Sequence, residues 1–146
     1  MSCLFCEIIK GNIPSSKIYE DEFCIAILDI RPINKGHILI IPKEHHELII
    51  DYPQEIVMHL FGIAQKFNKV LRNVELKCDG VNFYVSDGES AGQEIFHTHV
   101  HVFPRFEGDG FGLKFPKRYF TEQPSRDELN EVAKLITDGL NILSKK

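Results

Sequence analysis

The chain has 146 residues, of which 43% are apolar and 26% charged, and its formal charge is -4. This is the length of one ordinary domain with enough apolar content for a core, which excludes a disordered or fibrous chain. The acidic balance argues against long nucleic acid as a partner, yet leaves small phosphorylated ligands open, because they need only a few local donors. The opening MSCLFCEIIKGNIP has no basic stretch leading into a long apolar run, so no signal peptide is expected. Nor does any window approach the ~18 apolar residues of a membrane span. Four cysteines in such a chain are expected to be thiols or metal ligands rather than a disulfide framework, and the location expected is cytoplasmic.

The elements follow in chain order. Phe23 to Leu28 is an apolar run closed by Asp29-Ile30-Arg31-Pro32, the pattern of a strand entering a turn. A second strand is expected over His37 to Ile41, ended by Pro42, which cannot donate to a ladder. Between Pro53 and Arg72, apolar residues recur at helical spacing, and Asp51 and Gln54 resemble a capping box. Met58 and Ile63 fall outside the main stripe of that helix and are expected to suit a second surface. Val81 to Val85 reads as a strand, Ser86 to Gly92 as a turn-prone stretch, and residues 97–103 as another strand. Gly108 to Gly112 is expected to be a flexible loop. Ser125 and Glu128 form a capping box before an amphipathic C-terminal helix closed by Lys145-Lys146. Short strands beside one another with helices set apart predict an α+β fold on an antiparallel sheet. One domain is expected over 1–146, its core at about 3–112 and a helical extension at about 125–144.

The chemistry concentrates in His97-Thr98-His99-Val100-His101. On a strand, alternate side chains share a face, so the three imidazoles project together, roughly 6.5–7 Å apart, while Thr98, Val100 and Val102 point into a core. A neutral imidazole is a competent nucleophile at neutral pH, provided that its other nitrogen is held as N–H by an acceptor. Flanking histidines can donate to phosphate oxygens, and the small residues Gly88, Ala91 and Gly92 just upstream allow close approach of a phosphate to the backbone. The alternatives that the spacing leaves open are a metal site built from the three histidines and chance histidines on a polar face.

His97 to Phe103 resembles the His-x-His-x-His signature of the histidine triad superfamily. The flanking Ala91-Gly92-Gln93 and Pro104-Arg105, with Asp29-Ile30 and Gly36-His37 ahead of Ile40-Ile41-Pro42-Lys43, carry the likeness from about Cys3 to Gly112. The resemblance implies a nucleotide hydrolase that forms a nucleotidyl-histidine intermediate, a five-stranded antiparallel sheet with one long helix and a C-terminal helix, and a homodimer. It makes His99 the nucleophile, places His101 on the α-phosphate, lets Gln93 position the leaving group, and gives His37 a supporting role. Asp29 would hold the ribose hydroxyls, and Leu4, Phe5, Ile27 and Ile30 would form the slot for a purine base, although simple core packing explains those four equally well. Ser86 and Gly92 complete the nucleotide-binding set. Ser86 stands where the family's phosphoramidases carry an asparagine, and Glu94 stands where they carry a hydroxyl, so phosphoramidates and dinucleoside polyphosphates both remain open as substrates. The function of a different class is a nucleotide-binding or scaffold protein with weak incidental hydrolysis.

Cys3-Leu4-Phe5-Cys6 has the gap that lets two thiolates reach one tetrahedral ion, a spacing shared with redox pairs. The resemblance adds His45, after Pro42-Lys43-Glu44, and His97 as third and fourth ligands of a closed, structural zinc site. Homodimerisation has a physical argument beside the family one. Val81, Phe83 and Val85 on one strand face would invite pairing at an exposed edge.

Overall fold

The unbroken apolar runs at 24–27 and 38–41 reflect a sheet covered on both faces. A computed structural model describes residues 2–145; Met1 and Lys146, the latter expected to close the last helix, lie outside the described residues. The chain divides into two units, Met1–Phe111 and Gly112–Lys146. In the first, five strands, β1 (Lys17–Glu20), β2 (Cys24–Leu28), β3 (Ile38–Pro42), β4 (Gly80–Tyr84) and β5 (Val100–Arg105), form one sheet in the order β1-β2-β3-β5-β4. Every neighbouring pair is antiparallel. The α+β architecture with five antiparallel strands is therefore as expected.

Strand alternation sends Cys24, Ala26, Ile38, Ile40, Val100 and Val102 to one face, where they pack on Leu60, Ile63, Ala64 and Leu71 of helix α2 (Gln54–Leu71). Ile25, Ile27, Leu39 and Ile41 take the other face with Phe5 and Ile8 of helix α1 (Leu4–Ile9). Because β2 and β3 are buried on both sides, they read as continuous apolar runs rather than as alternation.

Several local expectations are corrected. Asp51 ends a separate 3₁₀ turn, Ile49–Asp51, and α2 begins at Gln54 with Pro53 at its N-cap and no side-chain cap, so the Asp51–Gln54 box does not form. Ile63 lies on the sheet-facing stripe and is buried, whereas Met58 is 64% exposed. The strand expected from residue 97 begins only at Val100. Upstream of it, Thr98 N–H donates to the His46 carbonyl and His97 N–H to that of Ile95, so this backbone bonds to a loop instead of the ladder. The loop expected to be flexible over Gly108 to Gly112 is pinned at Asp109, whose carboxylate takes both Nε and Nη2 of Arg105 and the Asn34 amide.

Among the sheet strands and the helices packed on them, α1 and β1 lacked a sequence signal. α1 has six residues, too few for a helical period, and β1 is a mostly exposed edge strand with a register shift between Lys17 and Tyr19.

The second unit contains α3 (Arg118–Thr121) and α4 (Arg126–Ser144). The Ser125–Glu128 capping box forms as expected: Ser125 Oγ accepts from Glu128 N–H, and the Glu128 carboxylate accepts from Ser125 N–H. Leu129, Val132, Ile136, Leu140 and Leu143 make a stripe on α4 that is left exposed.

Candidate functional site

A cavity of about 620 Å³ opens beside the face of the sheet that carries α1. Leu4, Phe5 and Ile8 of α1, Ile27 at the end of β2 and Leu39 of β3 supply apolar wall. Asp29, Ile30 and Arg31 come from the turn after β2, and Ser86, Gly92, Gln93 and Glu94 from the stretch before the histidines. His37, His99 and His101 complete the lining, so every residue expected to bind nucleotide borders one space. Its volume suits a nucleotide-sized ligand. Phe5 and Ile27 are buried in the wall, whereas Ile30 is 93% exposed and sits at the mouth.

Backbone groups decide which nitrogen of each imidazole is available. His99 Nδ1 lies 2.8 Å from the carbonyl oxygen of His97, to which it donates, and this leaves Nε2 with its lone pair. Ile33 N–H donates to His37 Nδ1 at 3.0 Å, so His37 carries its proton on Nε2. That nitrogen lies 2.9 Å from His101 Nδ1 and donates to it, which puts the His101 proton on Nε2 as a free donor. The His99 and His101 rings are 4.8 Å apart. The site thus joins an imidazole with a free lone pair to one with a free N–H.

His97 departs from its neighbours. Strand alternation puts it on one exposed face with His99 and His101, but it is fully buried and turns toward the N-terminus, and His99 is itself largely buried. Its Nε2 donates to the Pro42 carbonyl at 2.8 Å, leaving Nδ1 as a lone pair. That nitrogen lies 3.4 Å from Cys3 Sγ, 3.7 Å from Cys6 Sγ and 3.1 Å from His45 Nδ1, and Cys6 Sγ is 3.5 Å from His45 Nδ1. A tetrahedral ion bound at its usual distances sets sulfur–nitrogen separations of about 3.6 Å and nitrogen–nitrogen separations of about 3.3 Å. The four side chains fit such an ion, and the Pro42 carbonyl orients His97 as an outer-shell acceptor does. Tyr52 Oη, bonded to Glu44 O and His46 N–H, braces the loop that carries His45.

Gln93 is occupied differently from expectation. Its Oε1 accepts from Gly88 N–H, and its Nε2 donates to the carbonyls of Glu47 and Ile95, so the buried amide holds the turn before the histidines. Gly88 (φ 102°) and Gly92 (φ 89°) adopt backbone angles there that side-chain-bearing residues avoid. Glu94 faces Arg31, Oε2 to Nη2 at 4.0 Å, both side chains largely in solvent, so the pair is weak. Phe103, Tyr84 and Phe111 also border the cavity, a role the sequence did not signal because Phe103 and Tyr84 sit in strands, where aromatic residues read as core, and Phe111 sits in a glycine-rich loop. The backbone acceptors and donors, Pro42 O, His97 O and Ile33 N–H, have no sequence signature at all.

Burial depresses the imidazole pKa values. It holds His101 at about 4, helped by the neighbouring His99 and His37, and it lowers His99 and His37 as well. His97 is likewise held at about 4, chiefly by burial. The folded state therefore keeps these rings neutral where the unfolded chain, with histidines near 6.5, takes up protons. Stability should fall as pH drops from about 6.5 toward about 4. Urea midpoints measured across that window at constant salt should decline steadily, and a flat profile from pH 7 to 4.5 would contradict the neutral-histidine assignment.

Comparison with known proteins accords with this geometry. A model of the HIT domain matches residues 10–108. An adenosine 5'-monophosphoramidase from Candida albicans is 37% identical over 119 residues, covering 79% of this chain and 78% of that one. An adenylylsulfatase from Arabidopsis thaliana is 43% identical over 112 residues, 73% of this chain and 54% of that protein. The crystal structure of a zinc-bound histidine triad family protein from Mycobacterium smegmatis superposes with a TM-score of 0.73 at 37% identity, covering 98% of each chain. The chain belongs to the HIT domain family, the histidine triad proteins.

Proposed function

We propose that the protein is a cytoplasmic nucleotide hydrolase acting at the α-phosphate of a nucleoside phosphoramidate or dinucleoside polyphosphate. The observation that carries this reading is the tautomer of His99, whose Nδ1 is tied to the His97 carbonyl so that Nε2 is left as a nucleophile on a cavity wall. In the first step a bond forms from His99 Nε2 to phosphorus as the bond to the leaving group breaks. In the second, water attacks phosphorus and the imidazole departs. His101 Nε2–H donates to a non-bridging phosphate oxygen, with His37 holding its tautomer. Asp29 accepts from the ribose hydroxyls, and Leu4, Phe5, Ile27 and Ile30 receive a purine base. Ser86 and Gly92 border the phosphate, and Gln93 acts on the leaving group through the turn that it holds. Relatives named for phosphoramidate and adenylyl sulfate chemistry support the hydrolytic class.

Cys3, Cys6, His45 and His97 are proposed to bind a structural zinc, supported by the fit of their donor atoms and by the zinc-bound relative. Four protein ligands close the coordination sphere, so the ion supplies folding energy rather than a reaction step. A homodimer is proposed on three observations: β4 is an edge strand, Phe83 and Met58 are exposed, and the α4 stripe faces solvent.

Three measurements test these proposals. Adenosine 5'-phosphoramidate labelled at phosphorus, quenched in alkali, should leave label on the wild-type protein. His99→Gly should abolish that label and lower kcat at least ~10³-fold while AMP still binds. Label that resists acid but not base moves the nucleophile off histidine, and AMP binding with no turnover of either substrate class identifies a binding protein instead. The purified protein should hold about one zinc per chain, and Cys6→Ser should lower zinc content and melting temperature together. Stoichiometric zinc in the Cys3→Ser/Cys6→Ser double variant rejects these ligands. Sedimentation equilibrium at micromolar concentration should give twice the chain mass; an active species of one chain mass refutes the dimer.

A further inference from the structure

Cys3 and Cys6 are separated by Leu4 and Phe5. The two thiols face His45 and His97, whereas Leu4 and Phe5 line the cavity. One four-residue segment thus takes part in both sites. Phe5 is 2% exposed, and its ring meets His97 edge-on at 5.8 Å and His99 edge-on at 5.0 Å. The same ring touches a member of the sulfur–nitrogen cluster and the imidazole with the free lone pair. His97 makes a second link, since its Nδ1 belongs to the cluster while its carbonyl takes the His99 proton.

The segment cannot hold its position by itself. α1 has six residues and no side-chain N-cap bond, well below the ~12–15 residues at which an isolated helix becomes even marginal. Its seat comes from apolar contact with Ile25, Ile27, Leu39 and Ile41 and from the thiols at its start. With an ion bound, two of its four ligand bonds hold residues 3 and 6, and the other two hold His45 and His97. Without it, only weak thiol–imidazole contacts do so, and each alternative placement of Leu4 and Phe5 subtracts from the fraction of chains with a formed pocket.

We propose that metal occupancy of the Cys3–Cys6–His45–His97 site and nucleotide binding are thermodynamically coupled, with Phe5 as the positioning residue that carries the coupling. This rests on the reading of the cavity as a nucleotide pocket. The coupling is reciprocal: whatever factor zinc adds to nucleotide affinity, nucleotide adds to zinc affinity.

The test uses the full chain, zinc and AMP. Zinc affinity is measured by competition with a chromophoric chelator, with and without saturating AMP, and AMP affinity by calorimetry on zinc-loaded and chelator-stripped protein. Each ligand should tighten the other by the same factor, about 5–10-fold. Phe5→Leu keeps an apolar anchor but loses the edge contacts to both imidazoles. It should retain one zinc per chain and reduce the factor below about twofold. Equal zinc affinity with and without AMP, in a protein that binds AMP, overturns the coupling. An undiminished factor in Phe5→Leu overturns the role of Phe5. Circular dichroism of the stripped chain must match that of the loaded one; an unfolded stripped chain assigns the effect to folding and overturns the proposal. AMP binding to neither form overturns the nucleotide-pocket reading itself, and zinc binding to neither removes the metal half.

Discussion

The hydrogen bond from His99 Nδ1 to the His97 carbonyl is the constraint on which the site depends. It exists because the backbone at 97–99 has left the β-ladder. Thr98 N–H bonds to the His46 carbonyl, β5 begins only at Val100, and the His97 carbonyl is free to accept from a side chain. Had the strand run unbroken from residue 97, that oxygen would have been available to a neighbouring strand. The same departure swings the His97 ring out of line with His99 and His101 and into the cluster with Cys3, Cys6 and His45. One local break in pairing thereby separates three adjacent histidines into two different chemistries.

The platform beneath this arrangement is stiff for a packing reason. β2 and β3 are filled on both faces, by α2 on one side and α1 on the other. Interiors packed to this density leave little room for a strand to shift. The cavity walls borrow this rigidity at Ile27 and Leu39, since Ala26, Ile38 and Ile40 beside them belong to the opposite core. The far wall is secured differently, by Arg105 and Asp109, which fold the 106–111 loop so that Phe111 packs edge-on against Phe103 at 5.6 Å.

Electrostatics at the cavity are sparse. Its lining carries Asp29, Arg31 and Glu94 as formal charges, and Arg31 and Glu94 face each other at the mouth. The histidines within are kept neutral by burial. Apart from the largely solvated Arg31, the cavity offers an anion oriented N–H donors such as His101 Nε2–H. Such donors need no reorganisation when charge shifts.

Four of the five strands, the long helix and the family are legible in the order of the amino acids; β1 is not. Apolar runs bounded by Pro42 and by Asp29-Ile30-Arg31-Pro32 delimit β2 and β3, helical periodicity delimits α2, and the spacing of the histidines and cysteines marks the chemistry. Those features are legible because alternation and helical period are local consequences of backbone geometry. Which nitrogen of each imidazole is free emerges on folding, since it is set by Ile33 N–H, Pro42 O and His97 O, backbone groups that no residue type announces. The tertiary structure also decided that Gln93 is spent on the backbone, that Ile63 is core, and that Phe5 stands between the sulfur–nitrogen cluster and His99. Gln93 with Glu47, Ile63 with the sheet and Phe5 with His99 join residues far apart in the chain, and a pattern read along one strand or one helix holds no record of them.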